Sequence, residues 1–167
     1  MEPARLPQNF NSKMLTKLLD LAEQQARVVM TVLHQDLVPS WVIISGDDKP
    51  VIRATPWRND NEKRLAELYM RHELKAHKAK AYSFVTEAWT AVAPEDWDPE
   101  TPLPHHERAS ERVDRKEVVL AFATDGKTTK WRQWNIQRDW KGEVCALERQ
   151  KDFSEDEFSS WMNELLK

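Results

Sequence analysis

Three glycines in a chain of 167 residues set the first limit on this fold. Average usage near 7% would supply about a dozen. A dinucleotide fingerprint or a phosphate loop needs several glycines close together, so that backbone amides can approach phosphate oxygens. Gly46, Gly126 and Gly142 are too far apart for either. A G-x-S-x-G nucleophile elbow is absent as well. Each glycine falls instead where a hairpin turn is expected, and such turns ask for positive φ. The glycines therefore mark the corners of an antiparallel sheet.

The segments between those corners can be read in turn. Leu15, Leu18, Leu19, Ala22, Ala26, Val29, Met30 and Leu33 recur at three- and four-residue steps, which predicts a helix over 12–34. Its β-branched end, with Val28, Val29, Thr31 and Val32, should fray. Strands are predicted at 41–45 and 51–54, with Pro50 placing the second at an edge or a strand start. Asn59 and Glu62 have capping-box spacing ahead of a helix over 60–78. Its apolar stripe is read as Leu65, Leu68, Tyr69, His72 and Ala76. Residues 81–92 form a long strand, with Tyr82, Phe84 and Thr86 on one face and Val85, Glu87 and Trp89 on the other. Lys116–Thr124 (KEVVLAFAT) is nearly continuous apolar and should be central. Asp125-Gly126 turns the chain into Thr129–Arg138, and a last short strand covers 143–148. Ser154 with Glu157, and Phe153 with Phe158, have the spacing of a capping box and a hydrophobic staple for a final helix over 155–166.

The order α-β-β-α-β-β-β-(β)-α reads as α+β. The expectation is a single, mostly antiparallel sheet of five to six strands, with helices packed on one side. A profilin-, roadblock- or PAS-like arrangement suits that order, although likeness at that level does not establish function. One domain spanning 1–167 is expected. Residues 1–11 form a loose lead-in and 93–114 a long Pro-rich, charged loop.

Charge and cysteine usage narrow the setting. Lys+Arg is 25 and Asp+Glu is 28, for a formal net charge of −3. That balance argues against a broad nucleic-acid footprint. Cys145 is the sole cysteine, which excludes an intrachain disulfide framework and a Cys₄ or Cys₂His₂ zinc site. No run approaches the ~20 apolar residues of a membrane span, and residues 1–12 lack a signal-peptide core. The expected location is the cytoplasm. No cofactor and no metal is expected.

Two constellations could carry function. Eight tryptophans are many for this length, and Trp131 and Trp134 lie three apart on one strand, so they point to opposite faces. Both enter a core only if helices cover both faces. Otherwise one of them faces a partner. Tryptophan beside arginine suits an interface hot spot, which nominates Trp97, Trp131, Arg132, Trp134, Arg138 and Trp140. The same residues could stack single-stranded bases. The second constellation is a polar pocket of Glu87, His105, His106, Glu111, Asp114 and Arg115, types that serve acid–base chemistry or ligand binding. Glu87 lies in an otherwise apolar strand, so it needs a partner or a shifted pKa. Arg53, Arg115 or Arg132 could pair with it across strands. Arg115 and Glu117 share a face, and with Glu87 and Trp89 they could form a polar rim.

Three stretches carry a resemblance. Residues 56–60 (PWRND), 82–89 (YSFVTEAW) and 110–119 (SERVDRKEVV) are similar to a family of small, uncharacterised bacterial and phage-borne α+β proteins. The family pattern in the last stretch is close to S-E-H-P-D-R-x-E-V-V, and Arg112-Val113 stand here in place of His-Pro. The resemblance spans about residues 40–140. It implies a bacterial or mobile-element origin and no chemistry.

The expected function is therefore non-enzymatic protein binding or regulation, such as inhibition of a host or defence factor. The partner would be another protein, with a homodimer as one form. A small enzyme or ligand-binding domain built on the Glu87 pocket is the alternative, and a single-strand nucleic-acid binder the third reading.

Overall fold

A computed structural model describes residues 8–90 and 115–150, with side chains from residue 11 onward. The predicted final helix and the loop 93–114 lie outside the described residues. The elements within them are α1 (Gln8–Arg27), β1 (Ser40–Ile44), β2 (Pro50–Ala54), α2 (Asp60–Ala76), β3 (Ala81–Thr90), β4 (Lys116–Thr124), β5 (Thr129–Arg138) and β6 (Val144–Arg149). The strands form one six-stranded sheet in the order β2-β1-β3-β4-β5-β6. Every neighbouring pair is antiparallel. The α+β class with one antiparallel sheet is thus the fold. Apolar β4 lies inside the sheet, between β3 and β5, and Pro50 opens the edge strand β2, where a missing amide donor is tolerated.

The two helices pack on opposite faces, which corrects the expectation of helices on one side. Strand periodicity sorts the core into two layers. One layer holds Leu15, Leu18, Leu19, Ala22, Ala26 and Met30 of the first helix against Val85, Val119, Ala121, Ala123 and Trp134. The other holds Met70 and Leu74 of α2 against Trp41, Ile43, Tyr82, Phe84, Phe122 and Trp131. Small residues on β4 let α1 approach closely, while the second layer is a run of tilted rings, from Trp41–Phe84 at 4.4 Å to Phe122–Trp131 at 4.9 Å.

Neither helix lies as its periodicity alone suggests. Helix α1 does not fray into coil. It passes into a π-helical turn over Val28–Val32, where Leu33 N–H donates to the Val28 carbonyl at 3.0 Å. Wider turns relieve the crowding of a β-branched run, and Thr31 Oγ1 donates back to the Arg27 carbonyl at 2.6 Å. The added residue per turn rotates Leu33 off the buried face, so it is exposed. Helix α2 buries Ala66, Met70 and Leu74, at i, i+4 and i+8, and turns Leu65, Leu68 and Tyr69 outward. The expected stripe is therefore the outer one. The pliable Met70 fits the ring layer, and Arg53 Nε on β2 donates to Glu73 Oε2 at 2.6 Å, which pins the rotation.

Caps and turns also differ in detail. Asn59 Oδ1 accepts the Glu62 amide at 2.9 Å, but Glu62 Oε2 accepts the Arg58 amide rather than that of Asn59. Gly126 and Gly142 do adopt positive φ, at 85° and 83°. Gly46 does not, and Asp48 takes the left-handed position at φ 63° in that hairpin. Gly46 serves closeness instead. A Cβ there would sit 3.2 Å from Lys78 Cβ and carbonyl oxygen, and its amide donates to the His77 carbonyl at 3.0 Å.

Candidate docking surface and polar cleft

The tryptophan–arginine strand is largely absorbed by the fold. Trp131 is 6% exposed in the ring layer and Trp134 is 0% exposed beneath α1. Arg132 is buried too, and its guanidinium bonds Asp20 and Glu23 on α1. These three expected interface residues are core residues: Trp134 and Arg132 meet α1, and Trp131 packs in the ring layer against Phe122. Arg138 lies at the sheet's margin, with Nε and Nη2 on the Glu117 carboxylate at 2.7 and 2.9 Å and Nη1 on the Gly142 carbonyl at 2.8 Å. Trp140, in the β5–β6 turn, is 90% exposed, with Lys141 Nζ 5.1 Å from its ring centre. Trp97 lies outside the described residues.

Of the expected polar pocket, His105, His106, Glu111 and Asp114 also lie outside the described residues. Arg115 stacks on Trp89 at 4.8 Å, and Trp89 pairs with Glu117 across β3 and β4. Glu87 lines a cleft of about 170 Å³ with His34, Asp36, Arg138 and Glu143. Two of the arginines expected to pair with it across strands are held elsewhere. Arg53 is engaged by Glu73 and Arg132 by Asp20 and Glu23. Glu87 Oε1 instead accepts the Leu37 amide at 2.7 Å, so it fastens the α1–β1 connection to the sheet. That connection also holds His34 at a positive φ of 50°. Among the described residues, no group of three or more His, Cys, Asp or Glu side chains is placed to hold a metal ion.

The charges in this cleft set a pH response. Burial raises the Glu87 pKa above the ordinary glutamate value, the Leu37 hydrogen bond opposes that, and the nearby Asp36 and Glu117 charges add to it. Glu117 moves the other way because its hydrogen bonds with Arg138 favour the ionised form. A raised carboxyl pKa means the folded state favours the proton. Stability from Glu87 is then full below the ordinary glutamate value and is lost as pH rises through the folded one. Glu87→Gln keeps an acceptor for Leu37 and removes the charge. Thermal unfolding should show a higher melting temperature than wild type at neutral pH and no gain in acid. A loss at neutral pH that disappears in acid would show that Leu37 needs the charge itself.

The residues that sequence reasoning assigned to the core, and the structure exposes, form a coherent face. Leu65 is 65% exposed, Leu68 64% and Tyr69 43%. They lie together on α2, opposite the buried Ala66, Met70 and Leu74. Arg64, Arg71 and Lys75 run along one border at helical spacing, all exposed. The signal was present as a second apolar stripe in α2, but nothing in its periodicity says which stripe meets the sheet. No helix among the described residues is long and apolar enough to cross a membrane. Comparisons with family models, curated proteins and solved structures found no match.

Proposed function

We propose that this chain is a non-enzymatic protein-binding or regulatory protein that docks through the outward face of α2. The observation that carries the reading is Leu65, Leu68 and Tyr69, exposed together on a helix whose other face is already anchored to the sheet. Anchors at i, i+3 and i+4 are how a helix seats in a partner's apolar groove. A rigid, pre-ordered helix also lowers the ordering cost of binding. Regulation of a host factor is the use this reading gives a small binding protein. Affinity capture from cells of the source organism tests the reading. Wild type and Trp140→Ala should retain the same partner, and Leu65→Ser/Leu68→Ser should lose it. Identical capture by all three would overturn the proposal.

A further inference from the structure

We infer that the partner meets α2 with an acidic surface around its apolar groove. The inference rests on the docking reading above and adds the partner's chemistry. Its basis is how α2 distributes charge. The three glutamates of the helix are drawn into bridges, Glu62 to Arg58 at 3.1 Å, Glu67 to Arg71 at 3.0 Å and Glu73 to Arg53 at 2.6 Å. None of these glutamates is fully exposed. The exposed Arg64, Lys75 and Lys78 form no ion pair among the described residues. Arg64 and Lys75 fall at i−4 and i+7 from Leu68, along one edge of the apolar stripe. The face therefore presents apolar anchors with a basic border while the rest of the chain brings the net charge to −3.

That combination selects among polyanions. A nucleic acid would draw on the basic border but leave two leucines without a purpose, since its sequence-independent contacts are phosphate pairing and aromatic stacking. A helix lying in a membrane interface needs a wide apolar face free of the protein. Here the opposite face of α2 is buried in the fold, and the apolar patch spans little more than one turn. An acidic protein groove uses both features. Apolar burial supplies affinity, and charge complementarity supplies encounter rate and discrimination.

Two helical peptides of about 18 residues provide the probe, with leucines at i, i+3, i+4 and i+7. One carries glutamate at the remaining positions and the other lysine. In titrations of the full chain followed by backbone amide resonances, the glutamate peptide should shift signals across 61–78 and bind about tenfold more tightly than its lysine twin. The preference should shrink as salt rises. Arg64→Glu/Lys75→Glu should abolish it, while Leu65→Ser/Leu68→Ser should weaken both peptides. If both peptides bind α2 equally, the docking face stands and the acidic partner falls. If shifts map away from α2, or neither peptide binds, the inference falls; shifts away from α2 count against the docking reading too. Tighter binding at α2 of a thymidine oligonucleotide, or of phosphatidylserine-containing vesicles, would also overturn it.

Discussion

Trp134→Ala is expected to destabilise the fold by about 3–5 kcal/mol, the range for emptying a large aromatic site. At this chain length that is a fall in melting temperature of roughly 6–20 °C. The ring is 0% exposed and lies in the layer with α1, across from Val119 of β4. Neighbouring side chains come from a rigid helix and a central strand, so the site cannot collapse to fill the void. Trp134→Phe separates volume from hydrogen bonding. Trp134 Nε1 is buried and has no hydrogen-bond partner among the described residues, so losing it removes an unsatisfied donor rather than a bond. Phe should therefore cost much less than Ala in thermal or denaturant unfolding. If Trp134→Ala unfolds like wild type, Trp134 is a surface residue and the two-faced core is wrong.

The second large effect contrasts neighbours on α2. Met70→Ala should cost about 2–5 kcal/mol, because Met70 is 0% exposed against the ring layer and truncation leaves a cavity. Leu68→Ser, two residues away, should stay within about 0.5 kcal/mol, as surface changes do. Sequence periodicity alone would reverse that order. Denaturant midpoints of the two variants decide which way the helix is turned. A larger loss for Leu68→Ser would place that residue in the core and remove the docking face.

That reversal shows where sequence reasoning reached its limit. Element positions were legible because local chemistry marks them. Asn59 caps α2, Asp125-Gly126 turns β4 into β5, and alternation along β3 separates Phe84 from Val85. The assignment of faces was not legible, because it depends on which elements meet. Trp131 and Trp134 point to opposite faces, as their spacing requires, but only the packing on each face of the sheet decides that both are buried. Helix α2 offers two apolar stripes, and a single ion pair between Arg53 and Glu73 helps choose between them. Glu87 was identifiable as an anomaly in an apolar strand. Its partner, the Leu37 amide, was not, since a backbone donor in a connecting segment leaves no trace in side-chain patterns. Leu33 was misplaced for a similar reason, because one π turn shifts everything after it.

On the proposed reading, Leu65 and Leu68 bind a partner rather than support the fold. The most direct measurement is the affinity of the captured partner, purified, for wild type and for Leu65→Ser/Leu68→Ser, with melting curves of both forms recorded alongside. Unchanged melting is expected, with a loss of affinity of about a hundredfold, the scale of hot-spot residues. Equal affinity at equal stability would contradict that reading.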